Sequence, residues 1–398
     1  MTFKLRSLLC QKHNLLSKTI KSRIFSFHYF CSSDFKTNVE TKTSKLETSQ
    51  PGLLETWFHG VERFGRLNIS VPFSLDIESL DPQEYSDMGK LFIRLNYTPE
   101  EKDSQTEQSN NTSLAALTKL YSFNIDTSDA NDIRITSKFN TMVTFPATCS
   151  IQMPINYDLN VECTGKSVSV KNLETNEISI ATKNSLCTLH NLKGENVRVK
   201  SNVGDIVCQK VVQGNLDMSV TGAGSISTDR IQGQTIKCTV EEGNISATSV
   251  YSTDSEFTCN NGNINLMNTH GISKTTVNKG NLIIDSLDGS LEAKVNNGST
   301  DIFISRPDVI TIETETGDIN IKIPETSTSL DLEGNSVTCD QKLNIIEKKT
   351  ESIKNKEKLS GYLSGTDGKI KAITKDGGIN VKCLDWMESL KLKGFSAD

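Results

Sequence analysis

Glycine returns at a nearly fixed interval through the second half of this chain, and that interval limits the possible folds more than any other feature. Gly165, Gly204, Gly224, Gly243, Gly262, Gly280, Gly298, Gly317 and Gly334 stand 17 to 20 residues apart once Asn184 fills the one long gap. Asn shares the left-handed backbone region that Gly enters freely, so the replacement costs little. Fixed offsets from each glycine then carry fixed residue classes. One residue on stand short polar turn formers: Asp205, Ser225, Asn244, Asn263, Asn281, Ser299 and Asp318. Two residues on stand Ile206, Ile226, Ile245, Ile264, Leu282, Thr300 and Ile319, and four on stand Cys208, Thr228, Ala247, Leu266, Ile284, Ile302 and Ile321. The row between them, from Val207 and Ser227 to Asp301 and Asn320, is mostly polar. Alternation in steps of two is a strand with one buried face.

A second strand follows in each unit. Three residues before the next glycine stand Ser201, Thr221, Val240, Cys259, Val277, Val295 and Thr314, and five before it Val199, Ser219, Cys238, Phe257, Thr275, Ala293 and Ile312. Gly214, Gly233, Gly271 and Gly289 mark a corner half-way round. The few inward apolar side chains of one such unit cannot offset the entropy of ordering it, so units must stack and bury one another. Stacked at about 4.8 Å, the nine units from Gly165 to Gly334 give a rod on the order of 43 Å long. The expected fold is all-β, a single-chain β-solenoid (β-helix) with coils of about 19 residues, capped at both ends. Helical repeats are opposed by the alternation and by a glycine every half-unit. A β-sandwich shares the strand spacing but does not explain one residue class at one offset for seven units.

Charge sorts the rest of the chain. Lys and Arg number 43 against 49 Asp and Glu, for a net charge of −6, yet residues 1–25 hold Lys4, Arg6, Lys12, Lys18, Lys21 and Arg23 with no acid among them. The remaining body is therefore more acidic than the total, which argues against a nucleic-acid or anionic-membrane surface. Leu5, Leu8, Leu9, Leu16 and Ile20 gather on one side of a helix with lysines on its flanks, and Arg23-Ile24-Phe25-Ser26 has the form of a presequence cleavage site. The longest apolar run there, Leu8-Leu9-Cys10, is too short for a secretory signal, and no stretch approaches a membrane span. The expected address is mitochondrial, the matrix ahead of the intermembrane space. Ten cysteines contain no Cys-x-x-Cys pair and read as small core residues.

The expected organisation is a mitochondrial presequence over 1–25, a polar linker over 26–51, an N-terminal cap with lead-in strands over 52–164, solenoid repeats over 165–340, a charged insertion over 341–360, and C-terminal strands with a cap over 361–398. Within the first cap, Leu53, Leu54, Trp57, Phe58, Val61 and Phe64 have helical spacing, Leu67–Ile77 and Lys90–Tyr97 read as strands, and residues near 99–113 read as a disordered, solvated loop. Strands resume over 133–163. The Lys/Glu-rich insertion reads as a solvated hairpin or helix, and Trp386 to Leu390 as an aromatic lid for the second end. The Gly-Asp/Asn-Ile repeats, the segment Pro154-Ile155-Asn156-Tyr157-Asp158-Leu159-Asn160-Val161 and the Trp386 to Leu392 tail together resemble the animal proteins called family with sequence similarity 185 member A. Their repeat region is similar to bacterial adhesin-type β-solenoid domains. The resemblance implies a fold and a mitochondrial setting, and it brings no catalytic residues.

The residues themselves offer little chemistry. Solenoid hydrolases and lyases stack carboxylates on one outer sheet. Here Asp301 stands between Ile283 and Asn320 in its row, and Asp285 is flanked by Met267 and Phe303. The turns Gly262-Asn263-Ile264 and Gly317-Asp318-Ile319 lack the doubled glycine and second ligand of a calcium nonapeptide. His190 and His270 fall on separate coils with no Cys or His at ligand spacing, and Cys238 and Cys259 belong to different rows. No catalytic, cofactor-binding or metal residue is assigned, and no cofactor, nucleic acid, membrane span or small-molecule substrate is expected. The expected function is a non-catalytic, adhesin-like solenoid that binds or scaffolds a protein partner. The alternatives are a carbohydrate-active β-helix hydrolase or lyase, with at least two carboxylates about 5 to 9.5 Å apart in one groove, and an extracellular adhesion module, which requires a secretory N-terminus.

Overall fold

The computed structural model describes residues 52–97, 114–129, 131–142, 144–324, 326–353 and 355–384. The presequence, the linker, the loop near 99–113 and the Trp386 lid expected from the sequence lie outside the described residues. Strands β1 (Leu53–Gly60), β2 (Gly65–Val71), β3 (Ser74–Ser79) and β4 (Lys90–Tyr97) precede one helical turn, α1 (Leu114–Leu117). Then come β5 (Tyr121–Asp129), β6 (Asp132–Phe139), β7 (Ala147–Met153), β8 (Tyr157–Cys163), β9 (Ser167–Lys171) and β10 (Glu174–Asn184). The long coil strands are β11 (Leu186–Val203), β12 (Ile206–Ala223), β13 (Ile226–Glu242), β14 (Ile245–Asn261), β15 (Ile264–Lys279), β16 (Leu282–Asn297) and β17 (Thr300–Thr316). The C-terminal part holds β18 (Ile319–Ile323), β19 (Thr328–Gly334), β20 (Ser336–Cys339), β21 (Ile345–Ile353), β22 (Lys356–Leu363), β23 (Gly368–Asp376) and β24 (Gly378–Cys383).

Successive coils pair in parallel, like residue over like. Ile206, Ile226, Ile245, Ile264 and Leu282 form one column and are all buried. Each long strand turns at a mid-coil corner, held by Gly194, Gly214, Gly233, Gly271 or Gly289 in five coils and by non-glycine residues in β14 and β17, so its two halves face each other across a thin core. Cys208 Sγ lies 3.5 Å from Met218 Sδ, and Thr300 Oγ1 lies 3.5 Å from Thr314 Oγ1. The coil is therefore flattened and two-sided, with inward rows from both halves filling one continuous interior. The solenoid expected from the repeat is the fold.

Glycine and the polar residue after it make the corner. Gly262 has φ +141°, and a Cβ there would sit 1.8 Å from the carbonyl oxygen of Gly243, so both backbone conformation and the approach of the next coil exclude a side chain. The following residue then caps the coil above it. Ser225 N donates to Asp205 Oδ1, Asn263 N to Asn244 Oδ1, Asn281 N to Asn263 Oδ1 and Ser299 N to Asn281 Oδ1, at 2.8 to 2.9 Å. A short acceptor at this offset pairs a corner N–H that the ladder leaves free.

Four details differ from the sequence reading. The glycine column is continued backward by Ser185, not Asn184: Ser185 N donates to Val203 O as Gly204 N donates to Ala223 O, and Asn184 pairs with Val203. Ser185 fits because its buried hydroxyl donates to Gly165 O. In β12 the inward residues are Val220 and Met218 rather than Thr221 and Ser219, because a register shift between Val220 and Ala223 absorbs one extra residue. Residues 53–60 are strand, not helix. A spacing of four, as in Leu53, Trp57 and Val61, fits period 2 as well as period 3.6, and pairing with β4 decides for the strand, where Trp57 stacks on Phe123 at 4.3 Å.

The fourth difference is the order of coils at the ends. The coil carrying Gly334 does not lie on the coil of Gly317. β23 and β24 pass between them, pairing with β17 and β18 on one side and with β19 and β20 on the other. The N-terminal end repeats the device, with β2 between β6 and β8 and β3 between β7 and β9. One inward column thus runs Cys149, Leu75, Val168, Cys187, Ile206, on through Leu282, Thr300 and Ile319, to Ile379 and Val337. At about 4.8 Å a rung, the stack is about 58 Å long rather than 43 Å. Antiparallel strands close it. β4 lies on β7 and β5 on β6 at one end, and β22 lies on β19 at the other, followed by β21 with Glu347, Lys348, Lys349 and Glu351 along its outer edge. Charge on an exposed edge discourages further pairing. Among the edge donors of β20, Val337 N finds Glu357 Oε2 at 2.8 Å.

Candidate interaction surface

Outward-pointing residues stack as strictly as inward ones, so each face carries rows of side chains at coil spacing. On the face made by the second half-coils one row reads Arg198, Asp217, Lys237, Glu256, Lys274 and Glu292. The sign of charge alternates at every step. Within the chain Lys237 Nζ lies 3.1 Å from Glu256, Lys274 Nζ 3.9 Å and Lys294 Nζ 3.3 Å from Glu292, and Arg198 3.0 Å from Glu177 in the preceding coil. These pairs are half in solvent and contribute little to stability one at a time. Beside them Ile272 and Val309 are each more than half exposed, and the row on the other side is uncharged over Ser219, Thr239, Thr258 and Thr276. The charged row, with Ile272 and Val309 on its flank, lines a shallow groove of about 1150 Å³ along the stack.

A second row lies next to the mid-coil corner: Glu174, Lys193, Gln213, Gln232, Tyr251, His270, Asp288 and Arg306. Glu174 pairs with Lys193. The Tyr251 and His270 rings stack at 4.8 Å, His270 Nδ1 is 3.4 Å from Asp288, and Arg306 grips Asp288 with two hydrogen bonds of 2.6 Å. That guanidinium, helped by His270, holds the Asp288 carboxyl below its usual range.

The residues considered from sequence are scattered by the fold. Asp301 accepts from Lys322 Nζ at 2.8 Å, and Ile283 beside it is exposed. Asp285 is exposed in the row of exposed Met267 and of Phe303, which is only 6% exposed. His190 lies in β11 and His270 in β15, four coils apart. Among the described residues, no three His, Cys, Asp or Glu gather as metal ligands would. Of the eight cysteines among the described residues, six are buried, and Cys339 and Cys383 are half-buried. Burial pushes Cys149, Cys187 and Cys238 up to about 12, Cys163 and Cys259 up to about 11, and Cys208 well above the ordinary value, which keeps them protonated and unreactive. Cys238 pairs with Phe257 and Cys259 with Val277, in separate rows. The alternating row stands six residues before the next coil glycine, seven in β12, beside the inward position at five; repetition of one residue class marks the inward rows, whereas this row changes sign at every coil and so shows no constant class. Writing residues 196–202 above 215–221 and 235–241 exposes it.

Residues 210–382, from the end of the first half of β12 to β24, match the family described as Toastrack DUF4097. Three solved structures are similar to the chain. A "putative adhesin" from Parabacteroides merdae has 12% identity and a TM-score of 0.31, covering 84% of this chain and 98% of its own. A "putative cell adhesion protein" from Clostridium sporogenes has 9% identity and a TM-score of 0.17, covering 83% and 99%. A "putative adhesin" from Bacteroides fragilis has 13% identity and a TM-score of 0.20, covering 84% and 98%. Scores of this size carry no argument about activity.

Proposed function

We propose that this chain is a non-catalytic β-solenoid of the adhesin-like kind that offers the face of its second half-coils to a protein partner inside mitochondria. The observation that carries the reading is the alternating row flanked by exposed Ile272 and Val309. A long, shallow surface with apolar spots between fixed charges suits a protein, whereas small molecules take enclosed, mostly apolar pockets. The acids of the outward rows support a non-catalytic role, because Glu256, Glu292, Asp288 and Asp301 each face a Lys or Arg from a neighbouring coil. A general acid needs its proton held at working pH, and an adjacent cation drives it off.

The address rests on the six basic residues and the absence of acids in residues 1–25, and the relation to family with sequence similarity 185 member A on the repeats and the Pro154 to Val161 segment. Fusion of residues 1–40 to a reporter tests the address: import into mitochondria is expected, and entry into the secretory pathway overturns it. Proximity labelling in intact mitochondria tests the face. Neighbours labelled by the wild type should be lost with Ile272→Asp/Val309→Asp, and an unchanged set of neighbours removes the face from the function.

A further inference from the structure

The order of charges in the row is its own complement when reversed. From Arg198 to Glu292 the signs run positive, negative, positive, negative, positive, negative over six coils. Two faces packed against each other can be related by a two-fold axis lying between them. If that axis runs parallel to the stack, every residue of the row meets itself, and like charges collide. If it runs along the strands and passes between the Lys237 and Glu256 coils, the row meets itself reversed. Lys237 then faces Glu256 of the second copy, Asp217 faces Lys274, and Arg198 faces Glu292, each contact occurring twice by symmetry.

We propose that this face binds a second copy of the same chain, the two rods antiparallel about that axis. The inference rests on the face being the partner surface, and adds what the partner is. The neighbouring rows fit the same operation. Thr239 comes opposite Thr258 of the second copy and Ser219 opposite Thr276, small side chains that let the sheets approach. In the row on the other flank Thr235 comes opposite Asp254, and Ile272 opposite Asn215. The one like-charge contact is Lys200 against Lys294, and Lys294 is already drawn onto Glu292 of its own chain at 3.3 Å. Six coils at ~4.8 Å by seven residues at ~3.3 Å give a joint burial of roughly 1,300 Å², above the ~1,000 Å² a specific interface needs. Contacts made largely by half-exposed charges give a dimer that weakens as salt rises.

Sedimentation velocity of the full chain, over a range of concentration and salt, is the test. A dimer that dissociates on dilution and more readily in high salt is expected. Asp217→Lys sets lysine against Lys274 of the second copy at both symmetry-related contacts and should weaken the dimer about tenfold or more. Asp217→Lys/Lys274→Asp should restore it. Within one chain these residues are three coils apart, and the double change leaves like charges adjacent along the row, so recovery can act only across the interface. Should that variant fail to fold by circular dichroism, Lys237→Glu against Lys237→Glu/Glu256→Lys gives the same reading with intrachain pairing kept. A chain monomeric at every concentration, or folded double variants that dimerise no better than the singles, overturns the second copy as partner. If it is monomeric while mitochondrial neighbours still depend on Ile272 and Val309, the broader reading of the face survives. If neither holds, both fall.

Discussion

The middle of the solenoid and its two ends follow opposite rules of chain order. From β11 to β17 each coil lies on the one before it, and ladder partners such as Ile245 and Ile264 are one coil apart in sequence. At the ends a coil is slipped between two others, so that Ile319 pairs with Ile379 and Leu67 with Ile133. The entropy of closing the longer loops exceeds that of one coil by only about 1 kcal/mol, since closure cost grows with the logarithm of length. In return, strands near the chain's far end sit inside the stack, where both edges are paired, rather than at the rim, where termini fray. A repeat extends by adding neighbours; an end is finished by interleaving and an antiparallel lid.

The comparison breaks most sharply at glycine. Gly262→Val forces a side chain into left-handed backbone 1.8 Å from Gly243 O and should cost more than about 4 kcal/mol in denaturant titration. Gly334→Ala, in ordinary backbone with Thr374 Cγ2 at 2.9 Å, should cost only about 1 to 3 kcal/mol. Equal losses would mean that the glycine column does not set the middle apart. Next come the buried isoleucines: Ile264→Ala and Ile379→Ala should each cost about 2 to 4 kcal/mol. Ile379→Ala alone should also speed amide exchange in β19 and β20, which are held through β23 and β24. Unchanged exchange there would show that the interleaved coil is not what fastens the end.

Smaller effects sharpen the contrast. Asn281→Ala removes the acceptor of Ser299 N at 2.9 Å and should cost about 1 kcal/mol. Acid should act mainly on the N-terminal end. His59 in β1 is buried with both ring nitrogens unpaired, and burial lowers its pKa below 6.5. As pH falls through 6.5 the unfolded chain takes up a proton that the folded chain refuses, so stability declines below that pH until the lowered folded value is reached. His59→Leu should flatten this decline in a pH series of denaturation midpoints. An identical slope in the variant would assign the acid response elsewhere.

The middle was legible in the sequence because everything that fixes it recurs within one coil: the glycine, the polar cap and the inward pair. Single irregularities, such as the extra residue before Gly224 or Ser185 beside Asn184, shifted individual positions and left the architecture intact. Interleaving was illegible because it depends on pairings about 60 residues apart, and nothing in the spacing of Gly317, Gly334 and Gly377 says which of the last two comes next. The alternating charges were present in plain order, but only vertical alignment turns them into a row. A surface pattern perpendicular to the chain is invisible to a reading that moves along it.

Interleaving has a consequence for synthesis. While residues 368–383 are still to emerge, from a ribosome or from an import channel, the rung formed by β17 and β18 has no neighbour on its outer side, and the coil of β19 and β20 has only β22 beside it. A chain that emerges N-terminus first therefore keeps an open sheet edge until its last strands arrive, and closes it in one late step. A truncated product that stops short of that step would keep a sticky rim, which makes the final strands a checkpoint for every copy made.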